Sequence, residues 1–457
     1  MAGTHSVISQ PDGDVSCERL SRAVDLRALH RLERGRYPFL LESTAGDPRR
    51  GGFDILFAAG DERLVLERGG ELAGGEGKRF LDALDAAWIR ERSAAQASHL
   101  PFTGGWFLYL GYELAAEVEP GLDLPADDLL PVAFAVRCRA AVIREQATDQ
   151  YWLVAEDSAA DELERLRADI AATRSQPAAP VPAPATIAEA PADQFLAAVA
   201  AAREYIAAGD IYQANLSRAW QISYDTPPDP ASIYSLLASA NPAPFAGSVA
   251  WRDKTVISSS PERLLSVRSG RASTRPIAGT RPRSSDADRD LALSGELFND
   301  PKERAEHIML IDLERNDLGR ICEPGSVTVD EMMILESYAH VHHIVSNIEG
   351  RLRADVSPGQ AIAAVFPGGT ITGCPKVRCM QIIAELEGAA RGAYTGSFGY
   401  LNRDGSLDLN ILIRTMVHDG RSLRFSAGSG IVADSQAEPE LAETRAKAEG
   451  LLRAIGS

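Results

Sequence analysis

The sequence has few of the features that mark secreted, membrane-spanning or disulfide-rich proteins. Its 457 residues include only five cysteines, and this odd, scattered set argues against a disulfide scaffold. No run of about 18 apolar residues is present, so we expect no transmembrane helix. The N-terminal residues lack a basic start followed by an apolar stretch, so we expect no signal peptide. These absences together predict a cytoplasmic protein.

Positive charge is also scarce. The chain has 47 Lys and Arg against 64 Asp and Glu, which gives a formal net charge of −17. Nucleic acids and anionic membranes attract basic surfaces, so we expect neither as a partner. The hydrophobic fraction of 45% is that of a globular protein, and the length indicates two domains or one large composite domain.

One segment interrupts the globular pattern. Residues 175–191 read SQPAAPVPAPATIAEAP, and such a Pro- and Ala-rich stretch is typical of a linker because it cannot pack a core. We therefore expect an N-terminal subdomain at 1–174, a linker at 175–191 and a catalytic domain at 192–457.

The remaining chain predicts an α+β fold. Short strand-like runs such as FDILFAA, KTVISSS and SLRFSAGSGIVA occur apart from amphipathic helical stretches such as ADQFLAAVAAAREYIAAG. Asp419-Gly420 stands between two strand-like runs and predicts a tight hairpin. This clustering favours antiparallel sheets over an alternating βαβ fold.

Two pairs of glutamates are the first candidate functional residues. Glu303 and Glu306 lie three apart in a predicted helix, and Glu440 and Glu443 do the same in the C-terminal helix, followed by Lys447. Each pair shares one helix face. Solvated acidic faces are one interpretation. Two facing carboxylate pairs that hold Mg²⁺ are the other, and the spacing alone does not choose between them.

Glycine loops and a histidine cluster are the next candidates. Gly279, Gly369 and Gly428 lie in glycine-bearing loops whose backbone can approach an anion. In a strand, His343 would face the side opposite to His340 and His342. His343 can therefore enter a pocket alone and act as an acid or base.

These stretches together resemble the chorismate-utilising enzyme family. The matching runs follow the family's order and are GDIYQANLSR, SSSPERLLS, RPIAGTRPR, AEHIMLIDLERNDLGR, HVHHIVS, GGTITGCPKVR, LIRT and SGIVADS with EPELAETRAKA. The resemblance implies a two-lobed α+β sandwich of antiparallel sheets with helices outside.

The resemblance also implies roles for residues at matching positions. It makes Mg²⁺ ligands of Glu303, Glu306, Glu440 and Glu443. It places Tyr394, Arg414 and Lys447, with backbone at Gly279, Thr280 and Gly428, around the carboxylate of the enolpyruvyl group of chorismate. It places His343, Thr370 and Glu262 near the leaving C4 hydroxyl and the incoming nitrogen.

Within the family, the aminating members are the most similar. Asn215 in IYQANLS, the HHIVS form of the histidine motif, GGTITG and the LNILIRT context of Asn410 resemble aminodeoxychorismate synthase component I. Ala278 departs from that pattern, because many such enzymes have a nucleophilic lysine in PIKGT. The alternatives are therefore anthranilate synthase component I and a non-catalytic tryptophan or chorismate sensor. No cysteine lies in a glutaminase-like context, so we expect ammonia from a separate glutamine amidotransferase subunit.

A tryptophan pocket is the last expectation from the resemblance. PFLLESTAG resembles the family's tryptophan-binding segment, and NPAPF would form the opposite wall. The candidate residues are Leu41, Glu42, Ser43, Asn241, Pro242 and Phe245. An ordinary strand and turn without a ligand is the alternative interpretation.

Overall fold

A computed structural model of the chain describes residues 14–45, 52–94, 98–174, 179–284, 286–337 and 341–456. The helices are α1 (Leu26–Leu32), α2 (Phe80–Glu91), α3 (Ala115–Val118), α4 (Asp161–Ala172), α5 (Ala192–Ala207), α6 (Pro230–Ala240), α7 (Ala287–Asn299), α8 (Pro301–Gly319), α9 (Pro358–Val365), α10 (Lys376–Glu387) and α11 (Ala437–Ala454).

The strands occur both singly between helices and in runs of several. They are β1 (Val15–Leu20), β2 (Phe39–Glu42), β3 (Phe53–Leu66), β4 (Leu72–Ala73), β5 (Gly105–Leu110), β6 (Ala133–Glu145), β7 (Gln150–Glu156), β8 (Thr186–Glu189), β9 (Gln213–Ser223), β10 (Phe245–Trp251), β11 (Lys254–Ser260), β12 (Arg263–Arg268), β13 (Arg271–Arg275), β14 (Ile277–Pro282), β15 (Thr328–Ser337), β16 (Val341–Arg351), β17 (Gly373–Cys374), β18 (Ser397–Asn402), β19 (Leu407–Asn410), β20 (Thr415–Asp419) and β21 (Ser422–Ile431).

Antiparallel pairing joins the strands into two connected sheets. One runs β1-β7-β6-β3-β2-β10-β11-β20-β21-β9-β8. The other leaves β6 through β5-β18-β19-β12-β13-β16, and β16 also pairs with β14 and β15. Each sheet combines strands from the N-terminal and C-terminal halves of the sequence, and their antiparallel pairing confirms the predicted α+β class.

An aromatic core lies between the sheets. The Phe39 and Phe107 rings stack with centroids 4.1 Å apart, and the Phe134 and Trp251 rings stack at 3.9 Å. These side chains come from β2, β5, β6 and β10, so both sheets contribute to one apolar cluster. Burying such large rings supplies much of the hydrophobic stabilisation, at roughly 25 cal/mol per Å².

Helices cover the outer faces of the sandwich. Helices α2, α8 and α9 contribute to an apolar cluster with β5, β12 and β19, whereas α4, α6 and α11 pack on the other sheet. No helix among the described residues is both long enough and apolar enough to span a bilayer.

The structure confirms the predicted hairpin. The hairpin of β20 and β21 pairs Asp419 with Ser422, and Gly420 has a φ of 57°, which glycine adopts without strain. The expected linker contains β8, which pairs with β9. His340 and residues 175–178 lie outside the described residues.

Candidate active site

The first turns of helices α8 and α11 lie close to each other. Helix α8 packs on β14 and β16, and α11 packs on β21. Lys302 Nζ at the start of α8 lies 3.6 Å from Asp434 Oδ1, just before α11. The structure therefore brings together two acidic segments that are far apart in the sequence.

The first two turns of these helices carry the four candidate metal ligands. We call Glu303, Glu306, Glu440 and Glu443 the carboxylate quartet. Each is held by a donor: Glu303 by Arg281 at 3.1 Å, Glu306 by Gln213 at 2.9 Å, Glu443 by Lys447 at 2.7 Å, and Glu440 by the Ser429 hydroxyl. In the described part of the chain, no three ligating side chains are gathered in an arrangement that could hold a metal ion.

The pKa of Glu306 is raised above the usual value for a glutamate. Burial raises its pKa, and the nearby carboxylates of Glu303 and Glu443 raise it further, while Gln213 and Lys447 oppose the shift. Glu303 and Glu443 thus repel the carboxylate of Glu306, and a hard divalent cation bound by their oxygens would relieve that repulsion. Mg²⁺ fits this chemistry, but ligation would replace the hydrogen bonds that the quartet now makes.

Lys447 and Gly428 line the neighbouring wall. Lys447 Nζ donates to the Gly428 carbonyl oxygen at 3.0 Å. A Cβ at Gly428 would lie 2.7 Å from the Tyr394 hydroxyl and 2.5 Å from Asn215 Oδ1. Only glycine fits there, so the backbone of β21 closely approaches these polar side chains.

His343 lies on β16, opposite β14. Its Nδ1 is 3.3 Å from the Gly279 carbonyl oxygen, which requires that Nδ1 carry the proton and donate. Burial lowers the pKa of His343 to about 3, and the Arg414 cation lowers it as well. The ring is therefore neutral at pH 7 and cannot serve as an imidazolium acid.

Gly279 and Arg414 both adopt backbone conformations with positive φ. Gly279 has φ of 61°, and Arg414 has φ of 52°. A side chain at Gly279 would come within 2.9 Å of Glu303 Oε2. The backbone of Thr280 pairs with His343 across β14 and β16, but its side chain lies outside what the structure describes.

Glu262 occupies the turn between β11 and β12 and is only 4% exposed. Burial raises its pKa to about 8, and the Glu314 carboxylate adds to the shift. Thr370 lies close enough to oppose the shift, yet among the described residues Glu262 Oε1 and Thr370 Oγ1 each have no hydrogen-bond partner. Glu262 is therefore a buried acid that keeps its proton at neutral pH and has one oxygen available to a ligand.

Ala278 is 7% exposed and lies on β14, opposite Ile344. It immediately precedes Gly279, so its position borders the wall that contains His343. Its methyl group offers no proton-transfer or nucleophilic chemistry.

Several residues near the site were not found from the sequence. Gln213, Arg281, Glu314 and Ser429 contact or influence the candidates but follow no recognisable spacing. Gln213 precedes Asn215 by two residues on the same strand, so alternation along β9 was the one signal that could have indicated it.

A cavity of about 810 Å³ lies at the expected tryptophan pocket. Leu41, Glu42, Ser43 and Phe245 line it. Asn241 and Pro242 are not part of its lining; Asn241 caps α6 through a bond from its N–H to the Leu237 carbonyl oxygen. Pro244 and Ala246 complete that wall instead.

Glu42 is engaged by other side chains at this cavity. Arg27 Nε lies 2.9 Å from one oxygen, and the Tyr234 hydroxyl donates to the same oxygen at 2.6 Å. The cavity also reaches Ile277 and Val345, which lie on β14 and β16. It therefore extends to the two strands that carry Gly279 and His343.

Comparison with known proteins gives consistent matches. The family described as chorismate binding enzyme matches residues 39–453. An anthranilate synthase component I-like protein of Synechocystis sp. is 42% identical over 78% of this chain and 74% of its own. Aminodeoxychorismate synthase component 1 of Bacillus subtilis is 38% identical over 86% of each chain. The crystal structure of anthranilate synthase component I from Streptococcus pneumoniae superposes with a TM-score of 0.79 at 31% identity, covering 88% of this chain and 92% of that one.

Proposed function

The chain belongs to the family of chorismate-binding enzymes, and from that premise we propose that it is an aminodeoxychorismate synthase component I. It would convert chorismate and ammonia to 4-amino-4-deoxychorismate, a step toward p-aminobenzoate and folate. The observation that carries the proposal is that Lys447 lies close both to Glu306 and Glu443 and to the buried, protonated Glu262. Such a site can hold a dianionic ring and deliver a proton to it.

Substrate positioning is assigned to the cations and backbone groups of the site. Lys447, Arg414 and Tyr394, with backbone at Gly279, Thr280 and Gly428, would bind the enolpyruvyl carboxylate. Bringing this charge into a preformed set of donors lowers the barrier by orientation and by electrostatic stabilisation. The Tyr394 side chain is buried. Burial raises the pKa of its phenol, so the hydroxyl keeps its proton and remains a hydrogen-bond donor.

Mg²⁺ is proposed as the cofactor, held by the carboxylate quartet. When bound, it would neutralise the ring carboxylate and fix the ring against the site. The chain's own contribution is the all-oxygen donor set and the Gly279 backbone, whose lack of a side chain leaves room beside Glu303.

Proton delivery is assigned to Glu262 rather than to His343. Glu262 has a pKa of about 8 and carries a proton at pH 7, whereas His343 is neutral and lacks a second proton to give. Glu262 would protonate the departing C4 hydroxyl, which leaves as water while the C–O bond breaks. Thr370 would orient that hydroxyl, and His343 would accept a hydrogen bond from the incoming nitrogen, whose surplus proton would return to the Glu262 carboxylate.

Ammonia is proposed to come from a separate glutamine amidotransferase subunit. The support is that similar proteins are named as component I, a name that implies a second component. Ammonia adds to the ring and loses a proton, so that the products are the aminated ring and water.

The choice between the two aminating reactions rests on motif variants. Asn215, the HHIVS form of the histidine motif and GGTITG favour aminodeoxychorismate synthase. Ala278 favours the second candidate, anthranilate synthase component I, because the covalent lysine is absent and a direct addition of ammonia would be needed. The relatives include both kinds of enzyme.

One assay separates the two reactions. The protein is incubated with chorismate, Mg²⁺ and an ammonium salt, and anthranilate fluorescence and pyruvate are measured. We expect neither until the downstream lyase is added, when p-aminobenzoate and pyruvate form. Anthranilate and pyruvate without the lyase would replace the proposal with the second candidate.

We further propose that the 810 Å³ cavity beside Leu41 and Phe245 binds tryptophan. The support is its position and its mixture of apolar and charged walls. Isothermal titration with tryptophan tests it, with phenylalanine as the control ligand. Equal or absent heats for both amino acids would contradict it.

A further inference from the structure

Glu314 lies on α8, about three turns beyond Glu303, and is only 3% exposed. Its carboxyl is directed into the protein between β13 and the segment before β17. The Thr274 hydroxyl donates to its Oε2 at 3.0 Å, and the Gly369 N–H donates to its Oε1 at 3.3 Å. Glu314 thus connects α8 to β13 and to the residue that precedes Thr370.

The approach of Gly369 to Glu314 requires a glycine. A Cβ at Gly369 would lie 2.5 Å from Leu313 Cδ2 and 3.3 Å from Glu314 Oε1. Thr370 follows directly, and its hydroxyl lies beside Glu262. One short segment therefore has a buried carboxyl on each side of it, Glu314 and Glu262.

The charged groups around these two carboxyls come from three helices. Glu262 interacts with Glu314 on α8 and with Lys447 on α11. Glu314 interacts with Asp317 on its own helix and with Lys376 on α10. Lys376 Nζ is already paired with Asp317 at 2.5 Å, so that cation does not face Glu262 directly.

The hydrogen bonds decide which carboxyl ionises first. Glu314 accepts from Thr274 and Gly369 and has Lys376 nearby, and all three favour its charged form. Thr370, the Ile277 backbone and Lys447 also favour the charged form of Glu262, yet its pKa is raised to about 8, against about 7 for Glu314, and its Oε1 has no hydrogen-bond partner among the described residues. Glu314 therefore loses its proton first, and its negative charge then disfavours ionisation of Glu262.

We propose that Glu314 is a positioning residue that keeps Glu262 in its proton-carrying form and fixes the Gly369–Thr370 segment beside it. The inference deepens the proposed function, because it rests on Glu262 as the proton donor. Helix α8 would then have two roles. Its first turns supply candidate metal ligands, and Glu314, three turns later, keeps Glu262 protonated.

The first test compares pH profiles of chorismate consumption, a readout that does not depend on which product forms. In Glu314→Gln the negative charge is lost while one hydrogen-bond acceptor remains, so we expect the alkaline fall of kcat/KM to move about one pH unit lower. Thr274→Val is the matched control: it removes one hydrogen bond to Glu314 but keeps the ionisable carboxyl, so its alkaline fall should move much less than that of Glu314→Gln. Equal shifts in both variants would indicate a structural role only and would overturn the inference.

The second test needs no substrate and separates this inference from the proposed function. The protein is labelled with ¹³C at glutamate carboxyls, and the Glu262 resonance is identified by its absence in Glu262→Gln. We expect this resonance to titrate near pH 8 and about one unit lower in Glu314→Gln. An unchanged titration would overturn the role of Glu314 even if chorismate is aminated.

The wild-type spectrum covers the case in which Glu314→Gln does not fold. Two interacting carboxyls titrate in two macroscopic steps. The Glu262 resonance should therefore show a smaller inflection at the lower pH where Glu314 ionises. A single step without that inflection would overturn the inference.

Discussion

Two groups of glutamates meet around the candidate site, and their surroundings make them different acids. The carboxylate quartet lies at the starts of two helices, where backbone N–H groups favour anions and where Arg281 and Lys447 provide cations. Glu262 and Glu314 lie in the interior, where burial raises their pKa values. The same side chain is therefore suited to hold a cation in one region and to carry a proton in the other.

The difference shows that residue type alone does not assign a role. In the quartet, Glu303 and Glu443 have the cationic partners Arg281 and Lys447, whereas burial and neighbouring carboxylates raise the pKa of Glu306. A glutamate whose nearest charge is another carboxylate remains protonated up to a higher pH. Each prediction below changes one region and leaves the other intact.

The largest expected effect is on the quartet. Glu303→Gln and Glu440→Gln should each reduce Mg²⁺-dependent turnover by about 10³-fold or more, about 4 kcal/mol of transition-state stabilisation, while the fold remains intact. Calorimetric titration with Mg²⁺ should show lost binding in both variants. Glu438→Gln, at an exposed position on the same helix, is the control. Full activity in both quartet variants would remove the metal from the proposal.

Loss of the buried acid should have the next largest effect. Glu262→Gln keeps the size of the side chain but cannot donate the same proton, so kcat should fall about 10²- to 10⁴-fold with little change in KM. Mg²⁺ binding should be unaffected, because the quartet is untouched. Steady-state kinetics and the same calorimetric titration measure both quantities. A variant that loses Mg²⁺ binding instead would show that the two regions are not separate.

The pH dependence should show a smaller but distinctive effect. Glu262 acts in its protonated form, and its pKa is raised to about 8. Activity is therefore retained below that pH and falls by about tenfold per unit as the pH rises above it. The alkaline limb of kcat/KM, measured with saturating Mg²⁺ and a constant concentration of free ammonia, checks this. A limb at the pH of an ordinary exposed carboxyl would contradict the assignment.

The smallest expected effect concerns Ala278, the position on β14 where a nucleophilic side chain is absent. Ala278→Lys places an amine in a buried position on β14, where desolvation lowers its pKa and favours the nucleophilic form. We expect a fraction of the protein to form a covalent adduct with chorismate. Intact-protein mass spectrometry of the quenched reaction, with no reducing agent added, detects it. Ala278→Met, of similar length without an amine, is the control. Identical spectra for the two variants would show that this position does not face the substrate.

Local patterns predicted many elements well because their signals are short-range. The run KTVISSS coincides with β11, and the Asp419-Gly420 turn joins β20 to β21. The run LDLNILIRTMVHDG has the apolar pattern of one long strand, but the structure divides it between β19 and β20. Arg414 in the interruption has φ of 52°, a conformation that an alternating apolar pattern does not reveal.

The candidate residues were named from the sequence, but their electrostatic surroundings were not predicted. Both glutamate pairs were recognised from their spacing of three. Glu314 was not, because the groups that hold it lie 40 and 55 residues away in the chain. The lowered pKa of His343 also depends on distant Arg414 and on burial, which local spacing does not encode.

The sequence by itself determined the α+β class, the positions of the main helices and strands, the acidic pairs and the family resemblance, because these depend on residue type and short spacing. Only the tertiary structure decided which glutamates are ion-paired and which are buried, because solvation and the nearest charges are set by strands and helices that meet from distant parts of the chain. That arrangement raises the pKa of Glu262 and lowers that of His343.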